Sequence, residues 1–411
     1  MSLRFSLHMP LSTPNKDAFF QRFFPGGVGI LSCPVQRYPW GLPGTASLVG
    51  RLGGLGASGE PCAELWMGAH PRGSAELVAG SERCSLREAL RLFPEPLLGR
   101  AALGRWGGEL PFLFKILSIG EPLSIQAHPD AALARTLHAR DPSNYPDPYH
   151  KPEVGVAVTP VEMLAGFLPG EELQTNLARY PELRGVIGRE SKSAEQVYRS
   201  VIEASEDGYR GAVDALQRRL DGSSALAPAE RYFLNMAREY GSADRGLLGF
   251  FIFNFVTLSP GEGVFIGPNF PHAYLFGEVV ECMANSDNVV RAGLTRKFQD
   301  KATLLHMLDY TATFPAILGA EQHAVEPGRI RFSPAAEFTL ERFFGERGTF
   351  AHVASGLSLA VVIRGEVTVR TPRGERDLRA GDVAAIPALE APCTLELRNG
   401  EVYLASIPTA R

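Results

Sequence analysis

Between Leu123 and His128 apolar and polar residues alternate strictly: Leu123, Ile125 and Ala127 share one parity, Ser124, Gln126 and His128 the other. On a strand, residues two apart face the same way. This run, entered from Phe112, therefore predicts β structure with Gln126 and His128 projecting together into a cavity. From Glu171 to about Tyr240 the period changes. Tyr198, Val201, Ile202 and Ala204 recur at helical spacing, as do Val213, Leu216 and Leu220, with charges between them. That pattern predicts an all-helical insertion over residues 171–245. A shorter helix is expected at Ser85-Leu-Arg-Glu-Ala-Leu-Arg-Leu-Phe93, with Ser85 as N-cap and Glu88 three residues on. Strands begin near Val28-Gly-Ile-Leu31 and resume over Leu247 to Thr257.

Beyond residue 312 the chain reads as a second β region. Leu357–Ile363, Gly365–Arg370 and Val383–Ile386 are short apolar runs between Gly and Pro turns. An internal echo links the two β regions. Pro260-Gly-Glu-Gly-Val-Phe-Ile-Gly-Pro leads to His272, and Ala380-Gly-Asp-Val-Ala-Ala-Ile-Pro leads to Cys393. Both read as turn, strand, turn, strand, the pattern of a cupin-type barrel. The fold class is thus mainly β with an α insertion: two cupin-type jelly-roll barrels plus a helical domain. In the echo Cys393 replaces His272 and no Gln-x-His pair occurs, so the second barrel is expected to be structural; Cys393 as a thiolate metal ligand is the sharper alternative.

At 411 residues the chain exceeds one ordinary core. Hydrophobic content of 45%, charge of 21% and a net charge of −4 describe a globular chain and argue against general nucleic-acid binding. No apolar run reaches the roughly 18 residues of a membrane span. Cys33, Cys62, Cys84, Cys282 and Cys393 are scattered, odd in number and without a Cys-x-x-Cys, which suggests free thiols in a reducing compartment and a cytoplasmic protein. The N-terminus lacks the apolar core of a secretory signal; its Arg4, Lys16 and Arg22 leave a transit peptide or a plain extension as the two readings.

Two further residues complete a candidate metal site with Gln126 and His128: Glu153 in His150-Lys-Pro-Glu153, and His272 in Asn269-Phe-Pro-His-Ala-Tyr274. Two imidazoles, a carboxylate and an amide oxygen form a borderline N/O set that suits zinc. Spacing alone does not join them, and isolated histidines near apolar strands are more often satisfied core or surface residues.

The company these residues keep resembles type I phosphomannose isomerase. The similar stretches are Tyr38-Pro-Trp-Gly41, Ala63-Glu-Leu-Trp-Met-Gly-Ala-His-Pro71, Pro111-Phe-Leu-Phe-Lys-Ile-Leu117 with Pro122–Asp130, His150–Glu153, and His272-Ala-Tyr274 with Val280–Leu294. They run in the family's order from about Cys33 to Asp300. The resemblance implies a catalytic cupin domain over 26–170 and 246–311, an N-terminal extension over 1–25, a degenerate cupin-type domain over 312–411, and a monomer. It assigns one Zn²⁺ to Gln126, His128, Glu153 and His272, and makes Arg291 the main catalytic arginine. A guanidinium is always charged and offers a planar fork of donors to an enediolate or phosphate. The proton carrier is Lys151, Glu281 or a water at the metal. Lys151 could instead neutralise substrate phosphate, and Glu281 could instead pair with Arg291. Ser124 and Lys297, with Arg296 and Lys301 nearby, are the phosphate candidates; Tyr274, Trp40 and Glu64 could line the sugar pocket, although Trp40 and Trp66 fit a core equally well. Two positions depart from the family pattern: Pro39 where Asp is common, and Arg296 where Pro is common.

The activity implied is a zinc-dependent exchange of mannose 6-phosphate and fructose 6-phosphate through a cis-enediol, feeding GDP-mannose synthesis, with sugar phosphates as the only partners. Two other classes share the ligand types. An iron-dependent cupin oxygenase would consume O₂, and a sugar-phosphate sensor on the same barrel would bind without turnover.

Overall fold

The computed structural model describes residues 15–56, 59–188, 193–311 and 314–408; residues 1–14 of the expected extension lie outside these. Two antiparallel β units are joined by helices. In the first, the strands run Ile317–Leu318, Gly263–Ile266, Glu153–Ala157, His272–Ala284, Phe112–Ile119, Glu64–Met67, Val35–Gln36. The strand His272–Ala284 organises this unit. Its second half pairs with Phe112–Ile119 and Glu153–Ala157, and its first half with Val161–Phe167 and Ile125–Ala127. Gly277, at φ +115°, lies at the change of partners; a Cβ there would sit 2.5 Å from the Pro160 carbonyl oxygen. One strand thereby serves both walls of a barrel.

Helices Gly170–Arg179, Ala194–Glu203, Glu206–Asp221 and Pro228–Tyr240 follow. Ser193 caps the second in a capping box with Gln196. Their buried stripes, including Tyr198, Val201, Val213, Leu216 and Leu220, share one core with Ile125 and Ala127, so the apolar parity of the Gln126 strand rests on the helical region. The expected strand over Leu247 to Thr257 starts only at Phe253. Residues Arg245–Leu248 and Gly249–Ile252 form short helical turns. Leu247, Leu248, Phe250, Phe251 and Ile252 are all buried, and an apolar run buried on every side has no period from which to tell helix from strand.

In the second unit the order is Ala324–Glu326, Arg329–Phe332, Thr339–His352, Cys393–Ser406, Ser358–Thr371, Val383–Ile386, Gly29–Ser32, Glu76–Ala79, Glu82–Ser85. Its last three strands come from the segment expected to lie wholly in the catalytic barrel. The helix Lys16–Phe23, inside the expected extension, packs Phe19, Phe20 and Phe23 into the main core beside Phe93. The two β units therefore exchange N-terminal elements. Helix Leu86–Leu92 begins at Ser85 as expected, but its cap differs: the Ser85 hydroxyl bonds Ser74 Oγ at 3.1 Å, and Ser74 Oγ accepts the Arg87 N–H.

Candidate metal centre and active site

The Cα of Gln126 pairs with that of His272 across two strands, and Arg291 pairs with Gln126 on the other side. Glu153 opens the neighbouring strand, opposite Met283. The four expected ligands, Gln126, His128, Glu153 and His272, come together in the first barrel. His128 Nδ1 donates to the Asn288 carbonyl at 2.9 Å, and His272 Nδ1 donates to the Phe270 carbonyl at 3.0 Å. Each backbone carbonyl fixes its ring so that Nε2 carries the lone pair. The two Nε2 atoms face the same Glu153 oxygen at 3.4 and 3.5 Å. For a tetrahedral ion with bonds of about 2.0–2.2 Å, neighbouring donors stand roughly 3.3–3.6 Å apart. His128 Nε2 is buried and has no hydrogen-bond partner, the state of a donor kept for a metal. The Gln126 amide lies 3.5 Å from His272 Nε2; a half-turn of the amide brings its oxygen to that position. Among the described residues, His128, Glu153 and His272 are the one group of three or more His, Cys, Asp or Glu that could hold an ion.

The electrostatics favour the metal-ready protonation state. Burial holds the His128 imidazole down to about 4, so it is neutral near pH 7. Burial alone would raise Glu153, but Lys151 at 3.0 Å and the two imidazoles outweigh it and keep the carboxyl well below its usual range.

Glu281 does not pair with Arg291. It meets Lys115, whose ammonium stands 3.2 Å from Glu281 and 3.8 Å from Glu64, all three buried. Burial pushes Glu281 up; Lys115 offsets this in part, and Glu153 adds repulsion. Burial would discharge Lys115, yet Glu64, Glu281 and Glu153 hold its pKa above the ordinary value. Lys115 is the functional candidate that the sequence reading missed. It was legible as the one charge inside Phe112–Ile119, a strand buried at every position; a lysine seldom sits there unless paired. Tyr274 is buried with an unpartnered hydroxyl that lies over Gly155, where a Cβ would come within 2.1 Å of it.

Arg291 is half-buried and, among the described residues, in no ion pair. Burial lowers its pKa, and burial, Arg291 and Arg72 together lower that of exposed Lys297. Arg291 is thus near enough to disfavour the Lys297 charge, and two neighbouring cations form a place for an anion. Arg296 turns away, its guanidinium reaching Glu239, and Lys301 is exposed at the start of helix Lys301–Met307. Ser124 is half-buried one residue before the Gln126 strand. Trp40 stacks on Tyr38 at 5.8 Å and, like Leu123, packs against the core cluster that contains Tyr274, while exposed Pro39 lies beside it. Cys393 is buried and its thiol is pushed up to about 12 by desolvation, a poor thiolate donor.

A family model for the catalytic domain of type I phosphomannose isomerase matches residues 29–170. Mannose-6-phosphate isomerase 1 of Arabidopsis thaliana is 39% identical over 390 residues, covering 87% of this chain and 89% of the relative. The chain belongs to the type I phosphomannose isomerases. The Rattus norvegicus mannose-6-phosphate isomerase is 36% identical across 88% of this chain and 93% of its own. A solved mannose 6-phosphate isomerase from Salmonella typhimurium, bound to its substrate and to zinc, matches with a TM-score of 0.81 and 29% identity over 93% of this chain and 100% of that one. The present chain shares that cupin-type architecture and is an isomerase; the oxygenase and sensor readings fall away with family membership. No helix among its described residues is long and apolar enough to cross a membrane.

Proposed function

We propose that this chain interconverts mannose 6-phosphate and fructose 6-phosphate, with Gln126, His128, Glu153 and His272 holding one Zn²⁺. The observation that carries the reading is the convergence of two backbone-fixed Nε2 atoms on Glu153 beside the buried Lys115–Glu281 pair. Bound there, the ion would act as a Lewis acid toward a substrate oxygen and orient the sugar. Arg291 and Lys297 receive the anionic end or the developing enediolate charge, since no acid quenches the Arg291 guanidinium among the described residues. The proton moves between C1 and C2 through a cis-enediol. Glu281, raised by burial toward the working pH, is the better placed base, with Lys115 as its charged neighbour. Lys151, on the Glu153 carboxylate, is the alternative carrier. Ser124, Tyr274 and Trp40 line the approach. In the cell the protein would work as a cytoplasmic monomer, supplying mannose 6-phosphate for GDP-mannose.

The test is a coupled assay following fructose 6-phosphate from mannose 6-phosphate, before and after chelation. Turnover lost with the chelator and restored by Zn²⁺ is expected. A folded, zinc-loaded protein with no turnover would refute the reading.

A further inference from the structure

Asp244 closes the helical region, and its carboxylate reaches back into the first barrel. Oδ1 accepts the N–H of Gly246 and of Leu294, both at 2.8 Å, and Oδ2 accepts the N–H of Thr295 at 3.3 Å. The Gly246 bond alone would be a helix cap. The other two bonds bind the turn between Arg291 and Lys297. That turn is a costly conformation: Leu294 sits at φ +53°, the left-handed region that a branched apolar residue rarely occupies without support. It also lies hard against the helical region. A Cβ on Gly246 would be 2.7 Å from Leu294 N, and one on Gly293 would be 2.2 Å from Gly246 N.

Asp244 is itself held from the helices. Tyr209 Oη donates to its carbonyl at 2.7 Å. The neighbouring Arg245 guanidinium donates to the Val201 and Ala204 carbonyls at 3.0 and 2.8 Å and stacks 4.2 Å over the Tyr209 ring. Downstream, Thr295 Oγ1 accepts the Lys297 N–H at 3.1 Å. A continuous line of contacts thus runs from two helices, through Asp244, to the backbone of the residues between the two cations.

We propose that Asp244 is a positioning residue through which the helical insertion fixes the spacing of Arg291 and Lys297 for a phosphate-bearing substrate. This rests on the functional reading above, but only on its anion-binding part. Placement errors of about 1 Å can cost up to two orders of magnitude in a positioned site.

The experiment uses the full-length, zinc-loaded protein. Affinity for inorganic phosphate is measured by calorimetry, together with KM and kcat for mannose 6-phosphate, in wild type, Asp244→Ala and Asp244→Asn. In Asp244→Ala we expect unchanged zinc content, about tenfold weaker phosphate binding and a KM raised in step. Asp244→Asn keeps an acceptor for Gly246 and Leu294 but loses the one for Thr295, and should fall between, at roughly threefold. Phosphate affinity within twofold of wild type in the folded Ala variant overturns the proposal. Should Ala fail to fold, the same result in Asn does so. The phosphate comparison needs no turnover, so an inactive wild type would sink the isomerase reading and leave this one readable. A wild type that binds no phosphate would sink both.

Discussion

The two β units place related strands in related registers and fill them differently. In the first, His272 pairs with Gln126 and Glu153 pairs with Ile266, the last residue of its echo strand. In the second, Cys393 pairs with His352, and Ser358 pairs with Ile386. Gln126, Glu153 and His272 thus correspond to His352, Ser358 and Cys393. The first set, with His128 beside it, converges with open valences: the unpartnered His128 Nε2 and a Glu153 carboxylate facing both rings. The second set is closed. His352 is bonded by Glu341 at 3.1 Å and Ser358 at 2.9 Å, and Glu341 is neutralised by Arg329 and Arg331. Barrels of one architecture can bury polar groups in either way. A core whose donors and acceptors are all matched is a structural element, and one that leaves donors converging and unmatched needs an ion.

The sharpest break between the two is a pair of equivalent deletions. His272→Ala should lose zinc and lower kcat by roughly 10²- to 10³-fold or more, the scale of removing electrostatic stabilisation from a reacting oxygen. His352→Ala should keep both zinc and turnover, while unfolding becomes about 2–3 kcal/mol easier because Glu341 and Ser358 lose a buried partner. Metal analysis beside a thermal melt reads both. Zinc loss from His352→Ala, or its retention by His272→Ala, would erase the contrast.

Lys115 tests whether charge in the first barrel serves chemistry alone. Lys115→Met strands Glu281 against Glu64 and Glu153, and a broken buried pair costs about 3–5 kcal/mol. Zinc should stay bound and turnover should fall. Adding Glu281→Gln should recover most of the lost stability and none of the activity. Recovery of turnover in the double variant would make the pair structural.

A pH titration separates the units next. Burial opposes ionisation of Glu341, but His352 and the two arginines prevail and hold its pKa at about 2 in the fold, against 4.5 for a free glutamate. A depressed carboxyl stabilises the fold above its unfolded value and loses that contribution as pH falls from about 4.5 through 2. The whole contribution is about 3 kcal/mol. Glu341→Gln should therefore be less stable at pH 7 and show a flatter acid limb between those values in chemical denaturation. An unchanged limb would mean that other groups set it.

What could be read from the chain divides by the range of the interaction. Gln126 and His128 sharing a face follows from period two, and the helical insertion follows from the spacing of Val213, Leu216 and Leu220. Both are local. Glu153 and His272 join them only through strand registers that spacing alone cannot supply; there the family resemblance stood in for the fold. Lys115 was visible but unread, because its meaning depends on Glu64 and Glu281 from two other strands. The short helical turns at Leu247–Ile252 were hidden by uniform burial, and the role of the N-terminal phenylalanines by the distance along the chain to Phe93, against which Phe19 packs. Arg296, expected to depart from the common family pattern, meets Glu239 at the end of a neighbouring helix, a pairing that no local pattern encodes.

The smallest effect probes how firmly the second unit is closed. Ser358 is the weakest member of its cluster, a neutral hydroxyl on His352 Nε2, whereas Nδ1 keeps its charged partner Glu341. Removing the hydroxyl leaves one imidazole nitrogen unsatisfied among buried groups. Ser358→Ala should thus cost about 1 kcal/mol, with no change in zinc content or kcat. The opposite substitution tells more. Ser358→Glu puts a carboxylate at the position equivalent to Glu153, but into a cluster where His352 still holds Glu341 through Nδ1 and no second imidazole faces it among the described residues. It should destabilise the fold by more than the Ala variant and bind no second zinc. A second equivalent of bound zinc would show that the matched hydrogen bonds of this unit do not exclude a metal.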